Sequence, residues 1–329
     1  MKVQNETKNQ HFVSQVEQRL NSSNPNSPNK SQNIYSFKII DREIYSIELE
    51  SKNSKSIANN LSWYDLFSFD VESKQIRSNF EALFGEYEEK TEINTLNLLQ
   101  KLEENNNDIK EELLSLFVLK LLNTFRNPYC IKKTLNTIGQ ASIHQPLDSS
   151  LAKIFLKVKQ GNKPQQQWLC SQLGITPEEY GSWLKTLFIL LMRPDENKPN
   201  ILEQMVKSMY ENDSSVINVF VFYYDEELIE RSVLLSDRGF STPVQSDEVL
   251  AYNFNLSSRA FITFAFSNVN QSAPEATPQR IIDAYKHMRN NVSVKMFKNN
   301  LDALTVYNKH TVYQSFERVY CSNKVIYGL

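Results

Sequence analysis

The rhythm of apolar and polar positions divides this chain into a β piece, a long helical middle, a second β piece and a helical tail. Ile34–Ile40 and Glu43–Leu49 alternate apolar with polar residues on either side of Asp41-Arg42, the spacing of a hairpin with a charged tip. From Ser62 to Glu211 the apolar period lengthens to three and four residues. That predicts helices over Ile76–Glu89, Thr95–Glu104, Ile109–Phe125, Leu151–Val158, Pro164–Leu173, Pro177–Met192 and Ile201–Tyr210. Ile109–Phe125 is apolar around most of its circumference, the pattern of a helix inside a bundle. It stops at Arg126-Asn127-Pro128, because the residue before a proline is pushed out of the helical region. Thr176-Pro177-Glu178-Glu179 is a helix start, with Thr as cap, Pro at the first helical position and acids in the first turn.

The second β piece opens with Val216–Tyr224, the most β-like run in the chain, and closes with strands around Val249–Leu256 and Ala260–Ser267. Between them, Leu235–Pro243 presents Asp237 on a loop punctuated by Gly and Pro, a common way to display a functional carboxylate. Thr277–Arg289 reads as an amphipathic helix, and Val292–Val319 as a helix in two pieces broken near Tyr307-Asn308. At the other end, His11–Leu20 carries apolar residues at 12, 13, 16 and 20, a helical stripe that must dock on something. The Asn- and Ser-rich run Asn21–Asn33 behind it reads as a flexible loop.

Strands at both ends can share a sheet only if the chain closes on itself. The expected fold class is therefore α+β: a largely helical single domain with a small mixed or antiparallel sheet built from N-terminal and C-terminal strands. Its expected parts are a flexible N-terminus over 1–10 and one domain over 11–329. That domain has sheet pieces at 34–49 and 216–267, a helical middle at 62–211 and a helical tail at 277–325.

Composition narrows the chemistry. The chain has 329 residues, 40% of them hydrophobic and 22% charged, which is ordinary for a globular protein with a sizeable core. Its formal charge of −2 gives no basic bias of the kind that marks a nucleic-acid-coating protein, although a local patch remains open. Seven glycines, and no Gly-Lys-Ser/Thr loop or G-x-G-x-x-G, argue against a dinucleotide or P-loop fold. Cys130, Cys170 and Cys321 lack C-x-x-C spacing and are expected as buried thiols. H-E-x-x-H is absent too, so neither a metal nor a nucleotide cofactor is indicated. Asp225-Glu226-Glu227 offers carboxylates to a divalent ion or is simply a charged strand exit. No apolar run approaches the ~18 residues of a membrane helix and the N-terminus is no signal peptide. A cytoplasmic location without a membrane partner is expected.

Several pieces taken in order carry a resemblance. They are His11-Phe12-Val13-Ser14-Gln15 with Arg19, the strand pair 34–49, Phe125-Arg126-Asn127-Pro128, Ser236-Asp237-Arg238, Asn255-Leu256-Ser257-Ser258, and Tyr307-Asn308 followed by Phe316-Glu317-Arg318. Together they resemble the bacterial domain-of-unknown-function family 4238, whose opening motif is of the His-Tyr-Val-Pro-Gln type. Ser14 and Ser258 stand where that pattern has Pro, and the turn proline is delayed to Pro243, so the chain looks like a divergent member.

The resemblance implies that His11, Arg126, Asp237, Asn308 and Arg318 converge. His11 and Asp237 would then move protons, with Arg126 as the third catalytic residue, while Gln15, Arg19, Asn308 and Arg318 hold substrate. Each has a structural alternative: His11 as a capping residue, Arg126 closing a helix, Asp237 forming an Asx turn, Asn308 interrupting a helix. Phe220, Phe222, Tyr223, Phe254, Phe261, Phe264 and Phe266 make either a base-stacking platform or a packed core. Two functions follow. One is a phosphodiester-directed, nuclease-like hydrolase, the effector of an anti-phage defence or toxin-like system, acting on nucleic acid or a phosphorylated ligand. The other is a non-catalytic module that docks a protein partner.

Overall fold

The fold, taken from a computed structural model, is α+β and is described for residues 3–73, 75–195, 197–212, 215–228, 232–243, 246, 249–268, 277–287 and 292–329. Contacts along the chain fall into two compact units. The first comprises Met1–Val16 and Asn59–Met205, the second Glu17–Ala58 and Val206–Leu329.

The first unit is a helical bundle of α1 (Glu81–Glu88), α2 (Thr91–Glu103), α3 (Lys110–Arg126), α4 (Ile131–Ile138), α5 (Ser149–Gln160), α6 (Gln166–Leu173) and α7 (Pro177–Leu191). As its pattern predicts, α3 is buried on nearly every side. Thr176 accepts from the Glu179 amide and Glu179 reaches back to the Thr176 amide, completing the capping box that starts α7. Where aromatic tips meet the interior they find acceptors. Tyr180 donates to the Leu66 carbonyl at 2.8 Å and Trp183 to that of Phe125 at 2.7 Å. Residues 62–80, expected as helix, hold short strands and turns instead: Ser62–Tyr64 pairs with Asn9–His11, and Asp70–Val71 with Arg77–Ser78. The helix expected from Ile76 begins only at Glu81, whose amide donates to Asn79 Oδ1. Phe12 and Val13 are buried in this unit, Phe12 against Trp63 and Tyr129.

The second unit carries two sheets. The first is built from β1 (Asn33–Asp41), β2 (Ser46–Leu49), β4 (Leu235–Ser236) and β8 (Arg318–Cys321), with β3 (Ser215–Tyr223) belonging to the other. Their order is β2-β1-β8-β4, and Lys55–Ser56 adds to β1, so N-terminal and C-terminal strands do share one sheet. The other sheet has four strands, completed by β5 (Val249–Ser257), β6 (Ala260–Asn268) and β7 (Val292–Lys298). Its order is β5-β6-β3-β7, antiparallel except for the parallel pair β3–β7. The helices of this unit include α8 (Gln279–His287) and α9 (Leu301–Gln314). Ile201–Glu211 is helical as well, its residues divided between the two units.

The expected two-piece helix over Val292–Val319 is corrected here. Val292-Ser-Val-Lys-Met-Phe-Lys is a strand, α9 runs unbroken through Asn308, and Arg318–Cys321 is a strand again. Val292, Val294 and Met296 alternate with polar residues, a period of two that a helical count over the longer window obscures. The Asn21–Asn33 run is a tied loop: the Asn33 amide donates to Asn24 Oδ1 at 2.8 Å and Gln32 Nε2 to the Pro25 carbonyl at 2.9 Å. Asn and Ser side chains bond nearby backbone here and so fix the loop they were expected to loosen. Buried Asn21 and Asn255 exchange amide hydrogen bonds at 2.8 and 2.9 Å, holding the segment before the loop against β5.

Two glycines separate close approach from open space. A Cβ on Gly161 would collide with the carbonyl oxygens of Phe69 and Lys157, whereas one on Gly85 in α1 meets nothing within 4 Å. In chemical denaturation, Gly161→Ala is expected to cost about 1–3 kcal/mol through overpacking, and Gly85→Ala to gain about 0.5–1 kcal/mol from helix propensity.

Candidate functional site

The residues singled out in the sequence divide between the units. His11, Gln15 and Arg126 belong to the helical unit, and Arg19, Asp237, Asn308 and Arg318 to the sheet-bearing one. His11 is buried, with Gln15 Nε2 3.5 Å from its Nδ1. Arg126 closes α3 and is fully buried. Its Nη2 lies 2.7 Å from Glu88 Oε1, and its guanidinium sits 4.6 Å over the Phe84 ring. Beside this pair stands Glu81. Burial pushes its carboxyl up to about 8; Arg126 pulls against that shift and Glu88 adds to it.

In the other unit the turn after β4 places Asp237 in a buried position. The turn closes by a hydrogen bond from the Gly239 amide to the Ser236 carbonyl, with Gly239 at a φ of 79° that favours glycine. Asp237 Oδ1 accepts from the Phe316 amide at 2.8 Å, and Oδ2 from those of Glu317 at 2.7 Å and Arg318 at 2.9 Å. Burial pushes this carboxyl up, and the three amides with Arg238 pull it back without restoring the ordinary value. A carboxylate surrounded in this way holds the corner between α9 and β8 and has little capacity left to take a proton from a substrate.

Asn308 is equally committed. It accepts from the Leu234 amide at 3.1 Å and donates to the Tyr327 carbonyl at 3.1 Å. Arg318 donates from Nε to Glu50 at 3.0 Å and from Nη1 to Glu317 at 2.6 Å. Glu50 also takes Lys55 and Ser36. Burial raises its carboxyl, but these partners prevail and hold it at about 2. Arg19 is half-buried and its carbonyl accepts from the Ser22 amide. Asp225 is bonded to Asn299 at 2.6 Å and Glu226 is paired with Arg259 at 3.1 Å, so neither stands ready for an ion. Among the described residues no group of three or more His, Cys, Asp or Glu could hold a metal.

The aromatic residues of the four-stranded sheet divide by strand parity. One face of the sheet places Ile217, Val219, Val221, Ile262, Phe264 and Phe254 in the core. On the other, Phe222 stands opposite Phe261 of β6 and Phe297 of β7, and Phe220 opposite Lys295. Here four rings stack in series. Tyr307 of α9 lies 4.1 Å from Phe261, Phe261 4.5 Å from Phe222, and Phe222 5.1 Å from Phe297, with interplanar angles of 21°, 13° and 17°. Tyr307 and Phe261 are buried, Phe222 is half-buried, and Phe297 at the edge is 37% exposed. Phe220 is half-buried beside it, and Lys295 is exposed.

The helical count over Val292–Val319 hides Phe297 and Lys295, which lie on β7. The alternation of Val292–Lys298 was the signal that could have found them. No family model, curated protein or solved structure matches the chain.

Asp237→Ala leaves three amides without an acceptor. It is expected to cost about 3 kcal/mol or more by denaturant titration, whatever the protein binds. Glu81 titrates higher in the folded state than in the unfolded chain. The stability it contributes is thus complete below about pH 4.5 and is lost as the pH rises through about 8. Glu81→Gln is therefore expected to be neutral near pH 4.5 and more stable than the parent at pH 9, measured by denaturation at both values.

Proposed function

We propose that the chain is a cytoplasmic binding module for single-stranded nucleic acid, seated on the aromatic ledge formed by β3 and β7. The observation that carries this reading is the four-ring stack that begins at buried Tyr307 and ends at exposed Phe297. A base laid on Phe297 continues a stack whose inner members are already fixed by the core, so little conformational entropy is lost on binding. Lys295, two residues back on the same face of β7, supplies a cation for the backbone phosphate, about 6.6 Å along the strand. Arg259, paired with Glu226 at 3.1 Å, offsets one of the acids of the 225–227 strand exit. Aromatic area and the Lys295 cation thus favour a ligand that the net charge of −2 does not advertise.

Binding is supported better than phosphodiester hydrolysis, because Asp237 already accepts three backbone amides and Arg318 is held by two carboxylates. No helix among the described residues is long and apolar enough to cross a membrane.

Fluorescence anisotropy with short labelled single-stranded oligonucleotides tests the reading. Phe297→Ala is expected to weaken binding about tenfold, as loss of one base–aromatic stack does. Lys295→Glu is expected to weaken it for every sequence and to lower the salt slope by about one. Absence of binding by the parent at low salt, or unchanged affinity in both variants, would overturn the proposal. Circular dichroism of each variant confirms that the fold is retained.

A further inference from the structure

The ledge does not end at Lys295. One row further along the same face, Asn218 of β3 stands in register with Ser293 of β7. Strand geometry puts this polar pair about 6.6 Å beyond the Phe220–Lys295 row and about 13 Å from the Phe222–Phe297 row. Asn218 is half-buried and Ser293 exposed, and no hydrogen bond joins either side chain to another described residue. Their neighbour across β6, Ala265, offers no polar group. Three chemistries therefore follow one another along a single face: stacked rings, a cation, and a carboxamide–hydroxyl pair.

We infer that Asn218 and Ser293 read the ribose 2′-hydroxyl of the bound strand, so that the ledge selects RNA over DNA. This rests on the binding reading given above. A 2′-hydroxyl is both donor and acceptor, and a carboxamide beside a hydroxyl offers the complementary set. The order of the rows fits a strand running along β7. One base lies on Phe297, its phosphate meets Lys295, and the neighbouring sugar reaches Asn218 and Ser293. Deoxyribose leaves both side chains without that partner, so the discrimination comes from polar groups that lose a bond when the hydroxyl is missing.

The decisive comparison is anisotropy with one labelled sequence made as single-stranded RNA, as DNA and as 2′-O-methyl RNA. The parent protein is expected to prefer RNA over DNA about three- to tenfold, with the methylated strand, which lacks the hydroxyl donor, in between. Asn218→Ala is expected to bring RNA down to the affinity of DNA while leaving DNA binding unchanged, and Ser293→Ala to do so in part. Phe297→Ala is expected to weaken RNA and DNA alike. Equal binding of RNA and DNA by the parent overturns the inference and leaves the stacking proposal standing. A preference that survives Asn218→Ala combined with Ser293→Ala overturns it also. Failure of every strand to bind removes both.

Discussion

The sheet-bearing unit depends on a single buried carboxylate. Asp237 gathers the amides of Phe316, Glu317 and Arg318, the three residues that turn the chain from α9 into β8. With that corner fixed, β8 is set between β1 and β4, and the five-stranded sheet is closed from chain segments nearly 300 residues apart. Phe37, Leu234, Val312, Val319 and Cys321 then form one cluster beneath it. Hydrogen bonds to a charged acceptor are stronger than neutral ones, and three of them offset much of the cost of burying the charge. The acid on the Gly- and Pro-punctuated loop is thereby the tie that lets the two ends of the chain meet.

The aromatic ledge depends on the same unit in a different way. Its rings come from α9, β6, β3 and β7, and each strand contributes only through its register. Parallel pairing of β7 with β3 puts Phe297 beside Phe222 and Lys295 beside Phe220. A slip of one residue would turn both to the opposite face. Because Tyr307 and Phe261 are anchored in the core with Tyr224, Val233 and Leu304, the exposed end of the stack rests on a rigid base.

In the helical unit the buried Arg126 is held by an ion pair and an aromatic face. Arg126 arrives at the end of a helix that is buried on nearly every side, so its charge has no route to water. It is met by Glu88 and by the face of Phe84, and Glu81 nearby is driven toward its neutral form. Burial is the main cause of that shift; Arg126 opposes it and the charge of Glu88 adds to it.

Much of the architecture was legible in the apolar rhythm. The buried α3, the capped start of α7, the hairpin 34–49 and the strands of 216–267 all follow from local period and cap chemistry that a short window contains. Strand β7 was lost because seven alternating residues next to a helix blend into a longer helical count, and with it went Lys295 and Phe297. The site residues were legible only as residue types. Asp, Asn and Arg at 237, 308 and 318 advertise chemistry equally well whether they face a substrate or a backbone amide, and partners up to 268 residues away decide which. By itself the sequence determined the α+β class and most of the helices and strands, since these depend on neighbours within a few positions. Which polar groups are spent on the fold, and which aromatic rings line up from core to surface, was decided by tertiary structure alone, because register and long-range hydrogen bonds join segments that no local pattern connects.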